Sequence, residues 1–232
     1  MISLPLVYTI LALIAYTTAF WYLFMSLMSK REPNHWFLGL ILALGLILHA
    51  GVLSQDMLTP MGINYDVFNL MSFTSGLMLV LSLIFSTFRP TLALNLIGIP
   101  VAAMGLILGF VFSQPNQFME QHSLGLDLHI ILSLSAYAVL LMATIHSILM
   151  WFQNQELKKK QKSRFWVNLL PSFQAMESLL FDLLRTGFVL LTVALLFGFF
   201  TIDDFFGQHL AHKTAFSIIS WFIYGALLLG HA

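Results

Sequence analysis

The chain has 232 residues, of which 59% are hydrophobic and 9% charged, with a mean hydropathy of +0.89 and no cysteine. A soluble domain carries about 25% charged residues, so most of this surface must face lipid rather than water. The formal net charge of zero leaves no field to recruit nucleic acid. The lack of cysteine excludes a disulfide framework, a thiolate metal site and a thiol–disulfide relay.

In chain order, apolar runs fall near 5–28, 36–53, 67–88, 92–112, 125–152, 186–202 and 212–231. Each is near the roughly 20 residues that cross a hydrocarbon core about 30 Å thick. Lipid offers backbone groups no partner, so each is predicted to be a helix. The expected fold is an all-α polytopic transmembrane bundle of about seven helices, forming one integral membrane domain over 1–232. The first run is followed, not preceded, by Lys30 and Arg31, exceeds a signal-peptide core and lacks a clear small-residue cleavage site. It is predicted to be a retained helix with its N-terminus outside.

Charge orients the rest. Lys30, Arg31, Arg89, Lys158, Lys159, Lys160, Lys162, Arg164 and Arg185 lie in alternate connections, and only Lys213 lies among the others. The positive-inside rule makes the basic connections cytoplasmic. The remaining connections carry Asp56, Asp66, Glu120, Asp127, Asp203 and Asp204 and are expected outside.

Within the fourth run, Gly98, Ala102, Gly105 and Gly109 recur at three- or four-residue spacing, a pattern that lets helices approach closely. Pro100 is expected to kink that helix. After the fifth run, Lys158 to Arg164 reads as an anchor for anionic headgroups. The stretch 171–185 then places Phe173, Met176, Leu180, Leu183 and Leu184 on one face and Gln174, Glu177, Ser178, Asp182 and Arg185 on the other. It is expected to form an amphipathic cytoplasmic helix lying at the interface.

No Walker loop, dinucleotide fingerprint, His-Glu-x-x-His or nucleophile–histidine–acid order is present, so hydrolytic and nucleotide chemistry have no motif to rest on. The eight histidines are the notable chemistry. His49 lies toward the outer end of the second helix, His129 opens the fifth, and His209 and His212 lead into the seventh. His122 falls in an outer connection, and His35, His146 and His231 lie near the cytoplasmic face. Neutral imidazole ligates haem iron, and ionisable groups inside a membrane are costly. Two imidazoles from different helices can clamp one iron. Interfacial histidines also serve simply as hydrogen-bonding helix ends, and the pattern alone leaves both readings open. His129, Ser133, Ala136, Leu140 and Thr144 share one helical stripe, and Lys213, Ser217, Ser220, Tyr224 and His231 another.

Several stretches carry a family likeness. They are Asn64-Tyr65-Asp66-Val67-Phe68-Asn69-Leu70-Met71-Ser72, the His129 to Tyr137 opening, Leu169 to Leu179 before Gly187-Phe188-Val189, and Lys213 to Trp221. In this order, from about 49 to 231, the chain resembles the cytochrome c assembly superfamily of CcsA- and CcmC-type haem-handling membrane proteins. It is most similar to the short YpjD-like and HemX-like inner-membrane branch.

The resemblance implies a bacterial inner-membrane protein that binds or passes haem near the outer face and supports maturation of c-type cytochromes. It implies no enzymatic step. Its partners would be the lipid bilayer and other cytochrome c biogenesis membrane proteins or an apocytochrome. His129 matches the family's first external haem histidine. His49 matches a histidine recurrent in the YpjD-like branch, and His231 lies about two residues from the family's membrane-embedded histidine. With His212 and Lys213, whose charge would pair a haem propionate, these are the candidate cofactor-binding residues, and His49 and His129 are the candidate iron ligands.

One departure is plain. The family's tryptophan-rich outer loop should precede Lys213, where this chain reads Asp203-Asp204-Phe205-Phe206-Gly207-Gln208-His209-Leu210-Ala211-His212 without a tryptophan. The family also carries its partner external histidine on a further helix beyond the seventh. A non-haem membrane scaffold and a small-molecule transporter are the competing expectations. Against the transporter, the sequence has no internal repeat and no Asp, Glu, Lys or Arg in the middle of a run.

Overall fold

The computed structural model of the protein describes residues 3–29, 31–59, 62–89, 91–114, 124–158, 170–201 and 211–231. Seven helices fill them, each long and apolar enough to cross a membrane. They are α1 (Leu4–Met28), α2 (His35–Met57), α3 (Val67–Ser86), α4 (Leu92–Phe112), α5 (Leu124–Lys158), α6 (Phe173–Thr201) and α7 (Ala211–His231). A two-residue ladder, β1 (Leu58–Thr59) antiparallel to β2 (Gly62–Ile63), tightens the α2–α3 connection.

Helix starts follow local chemistry. Pro5 opens α1, where its missing N–H costs nothing. Asn34 caps α2 by accepting from the Trp36 and Phe37 amides at 3.0 and 3.2 Å, and Asp66 caps α3 through Phe68 N at 2.9 Å. Pro100 sits inside an α4 that remains one helix.

Consecutive helices pair as antiparallel hairpins, α1 with α2, α3 with α4 and α5 with α6. The central α3 joins two cores. Its Leu79 belongs to a cluster with Tyr16, Leu23, Leu42 and Leu106, while the adjacent Met78 belongs to one with Val139, Met142, Leu183 and Leu191. In contrast, α7 packs mainly on α6 and is pinned there by Trp221, which donates through Nε1 to Thr192 Oγ1 at 2.8 Å and stacks on Phe188.

Large apolar side chains point outward all round, among them Trp21, Ile47, Val111, Phe200 and Leu229, while Ser72, Ser82, Asn69, Asn95, His49 and His146 lie inside. This is the distribution a bilayer solvent requires. The small-residue stripe of α4 is used within the chain. A Cβ at Gly105 would collide with Ser75, and one at Gly109 would lie 2.8 Å from Ser72 Cβ, so these glycines let α3 and α4 touch. That stretch of the face is consumed by α3 and is not open to a partner helix.

The amphipathic stretch 171–185 departs from expectation. It is the first half of α6, continuous with the sixth span rather than a separate interfacial helix. Its apolar face packs on α5: Met176, Leu179, Leu183 and Leu184 are buried there. The two helices are correspondingly long, 35 and 29 residues, or roughly 52 and 43 Å at a rise of about 1.5 Å per residue. They therefore overrun a core about 30 Å thick and pair beyond it. The overhang is tied by His146 Nε2 donating to Met176 O and Gln153 Nε2 donating to Pro171 O, both at 2.9 Å. The basic run at 159–164 lies outside the described residues.

Candidate functional site

The candidate histidines fall into separate places. His129 stands in the first turns of α5, at the end of the bundle that also carries Asp66 and the start of α7. Its ring lies against α6, with Nδ1 2.8 Å from Ala194 O. A carbonyl only accepts, so Nδ1 carries the proton, and Nε2 keeps the lone pair of a neutral imidazole. One helical turn on from Ala194, Gly198 makes room for the ring: a Cβ there would lie 2.8 Å from His129 Cε1. A hydrogen bond from one ring nitrogen to a backbone carbonyl is what orients an imidazole whose other nitrogen ligates.

His49 is different. It is 1% exposed, and both nitrogens are engaged: Nδ1 is 3.0 Å from Tyr16 Oη on α1 and Nε2 2.8 Å from Ser72 Oγ on α3. Its ring packs edge-on to Tyr16, and Gly76 is small enough to let it sit against α3. Hydrogen bonds therefore join three helices through one imidazole. Nothing is left for a metal unless one of them breaks. His49 and His129 lie in different helix seams and share none of these neighbours, so the two-imidazole clamp is not formed between them.

His212 is exposed in the first turn of α7, at the same end as His129. Lys213 follows it in the helix. His231 is exposed at the far end of α7, stacked on Phe181 with ring centroids 3.3 Å apart. At about 1.5 Å per residue, roughly 28 Å of helix separates it from His212, so one haem cannot engage both. His122 and His209, with the loop 203–210, lie outside the described residues. Among the described residues, no group of three His, Asp or Glu side chains gathers as a metal-ion site. His129 is a lone histidine with its Nδ1 held by a backbone carbonyl.

The Asn64–Ser72 segment proves to be scaffolding for this end of the bundle. Asn64 donates to Gln114 O at 2.8 Å and accepts from Asp66 N at 3.2 Å. Tyr65 donates to Asp127 Oδ1 at 2.6 Å, clamping the α2–α3 connection to the start of α5 two residues before His129. Burial, together with the Asp127 carboxylate, pushes the Tyr65 phenol well above its usual value and keeps it a donor. Sequence reasoning missed the partners that decide these roles: Tyr16 and Ser72 for His49, the Ala194 carbonyl and Gly198 for His129. For His146, expected near the cytoplasmic face, it also missed that the ring is buried in the α5–α6 seam. None of these partners carries a local sequence signal, since each lies on another helix.

Fold and site together define a polytopic helical membrane protein with a single preset imidazole at one end of its bundle. The cytochrome c assembly protein family matches residues 4–232, and the chain belongs to it. The match extends through α1 and α2, beyond the region that the motifs outline. Inner membrane protein YpjD of Escherichia coli K12 is 28% identical over 231 residues, covering 97% of this chain and 86% of that protein, and YpjD of strain O157:H7 matches equally. A 28.8 kDa protein from the nifR3-like 5′ region of Azospirillum brasilense is 33% identical over 109 residues, covering 46% of this chain and 40% of that one. No solved structure matches. The chain is thus a multi-pass inner-membrane protein of YpjD-like type.

Proposed function

We propose that the protein handles haem near the outer face of the membrane in support of c-type cytochrome maturation, as a carrier rather than a catalyst. The observation that carries the reading is the His129 ring, whose Nδ1 donates to Ala194 O while Nε2 meets no hydrogen-bond partner among the described residues. Haem contributes an iron with axial positions that accept a neutral imidazole. His129 would hold it through Nε2. The Ala194 carbonyl keeps the ring from turning, and Gly198 keeps it close to α6. His212 lies at the same end as a candidate second base, and the charge of Lys213 suits a propionate. His49 is assigned instead to joining α1, α2 and α3.

Family membership supports the reading, because the family is named for cytochrome c assembly. The test is the visible spectrum of protein purified from haem-supplied cells. Wild type and His49→Phe should show a Soret band, and His129→Ala should lose most of it. A band that survives His129→Ala unchanged, or none in wild type, would overturn the proposal.

A further inference from the structure

At the opposite end of the bundle, where Arg31, Arg89 and Arg185 lie, a cavity of about 610 Å³ opens between the α1–α2 connection, the start of α2, the end of α3 and the start of α4. Arg89, Thr91 and Asn95 line it from the α3–α4 connection and the start of α4, and Glu32, His35 and Trp36 from the α1–α2 connection and the start of α2. We infer that this cavity binds the phosphoethanolamine head of a zwitterionic phospholipid.

The argument rests on which hydrogen-bonding groups are already used. Asn95, 1% exposed, accepts the Ser82 hydroxyl at 2.5 Å and donates from Nδ2 to Thr91 Oγ1 at 3.4 Å. Thr91, 2% exposed, is thus an acceptor within the protein, and its own hydroxyl proton meets no acceptor among the described residues. Ser86 and Thr87 spend theirs on the carbonyls of Leu83 and Ile84.

Among the described residues Arg89 uses only Nε, which donates to Asp182 Oδ2 at 2.6 Å. Its two Nη groups keep four N–H donors in the planar fork that suits phosphate. The α3–α4 side of the cavity is therefore donor-rich and fits an anion.

Glu32 is the one acidic lining residue, exposed on the α1–α2 connection. Asp182 is engaged by Arg89. An anion held by Arg89 and a cation beside Glu32 match a zwitterion, whereas a headgroup with net negative charge would set its excess charge against Glu32. The occupant is a membrane lipid because the lining residues Trp36 and Phe88 are 84% and 79% exposed at helix ends, and an exposed indole at a helix end sits at headgroup level.

The test is native mass spectrometry of delipidated protein titrated with phosphatidylethanolamine, phosphatidylglycerol or tail-less glycerophosphoethanolamine. Phosphatidylethanolamine should bind several-fold better than phosphatidylglycerol. Arg89→Ala should weaken it about tenfold or more, as expected for lost charge-assisted hydrogen bonds. Thr91→Val, nearly isosteric, should weaken it less; because it also takes the acceptor from Asn95 Nδ2, a cooperative thermal melt rather than an unchanged one is the check on folding. Glu32→Gln, on the surface, should abolish the preference between the two lipids and keep binding.

Preference for phosphatidylglycerol in the wild type would overturn the inference. So would an unchanged preference in Glu32→Gln, or glycerophosphoethanolamine displacing the lipid at equal concentration. This site is independent of the haem reading, whose spectrum reports on the other end of the bundle.

Discussion

Gly198→Ala puts the packing around His129 to the sharpest test. The added methyl would lie 2.8 Å from His129 Cε1 and 3.0 Å from Nδ1, where ordinary contact begins at 3.4 Å. The ring must retreat about 0.6 Å, and the 2.8 Å bond to Ala194 O is stretched or broken with it. Overpacking of this kind costs about 1–3 kcal/mol, and an interhelical hydrogen bond in a membrane is worth about 0.6 kcal/mol on average. Alanine recovers about 1 kcal/mol of helix propensity, so the net loss should be about 0.6–2.6 kcal/mol. Gly39→Ala is the matched control, because nothing lies within 4 Å of a Cβ there; it should be neutral or stabilising by up to about 1 kcal/mol. Reversible unfolding in detergent measures both, and the ring carbon shifts of labelled His129 report whether Nδ1 still carries its proton. If Gly198→Ala is as stable as Gly39→Ala with an unchanged tautomer, the account of how α6 presets this imidazole is wrong.

Other expectations follow from the same geometry. Ser72→Ala leaves His49 Nε2 unpaired in the seam of α1, α2 and α3 and should cost about 0.6–2 kcal/mol in the same unfolding assay, with no change in any haem spectrum. Tyr65 must stay neutral when folded, and its folded pKa is raised from an ordinary 10.0. The stability it contributes is full below pH 10 and lost as pH rises through the raised value. Tyr65→Phe should flatten that alkaline limb in unfolding followed from pH 8 to 11. Asp182→Asn removes an ion pair whose side chains are 40% and 29% exposed, so detergent unfolding should register about 0–1 kcal/mol; a larger loss would mean the bond locks α6 to the α3–α4 connection.

The sequence by itself determined the number of spans, because apolar length against bilayer thickness leaves little choice. Runs at 67–88 and 92–112 became helices at Val67–Ser86 and Leu92–Phe112. The membership in the cytochrome c assembly family was also legible, carried by ordered motifs around Tyr65, His129 and Lys213. Faces were not legible, for a physical reason: in a lipid-spanning run both the core side and the lipid side are apolar, so periodicity does not say what covers what. The stretch 171–185 shows this, since its apolar stripe was expected to meet the interface and instead meets α5. The stripe at Gly105 and Gly109 predicted close helix approach, and only the fold named α3 as the neighbour.

Histidine chemistry was decided entirely by tertiary structure. His49 and His129 look alike in sequence, each an imidazole toward one end of an apolar run. Tyr16, 33 residues from His49, and Ser72, 23 residues from it, saturate that ring. Ala194, 65 residues from His129, binds one nitrogen, and the other meets no partner among the described residues. A ligand's availability depends on which lone pairs its neighbours have already taken, and those neighbours are assembled only when the helices pack.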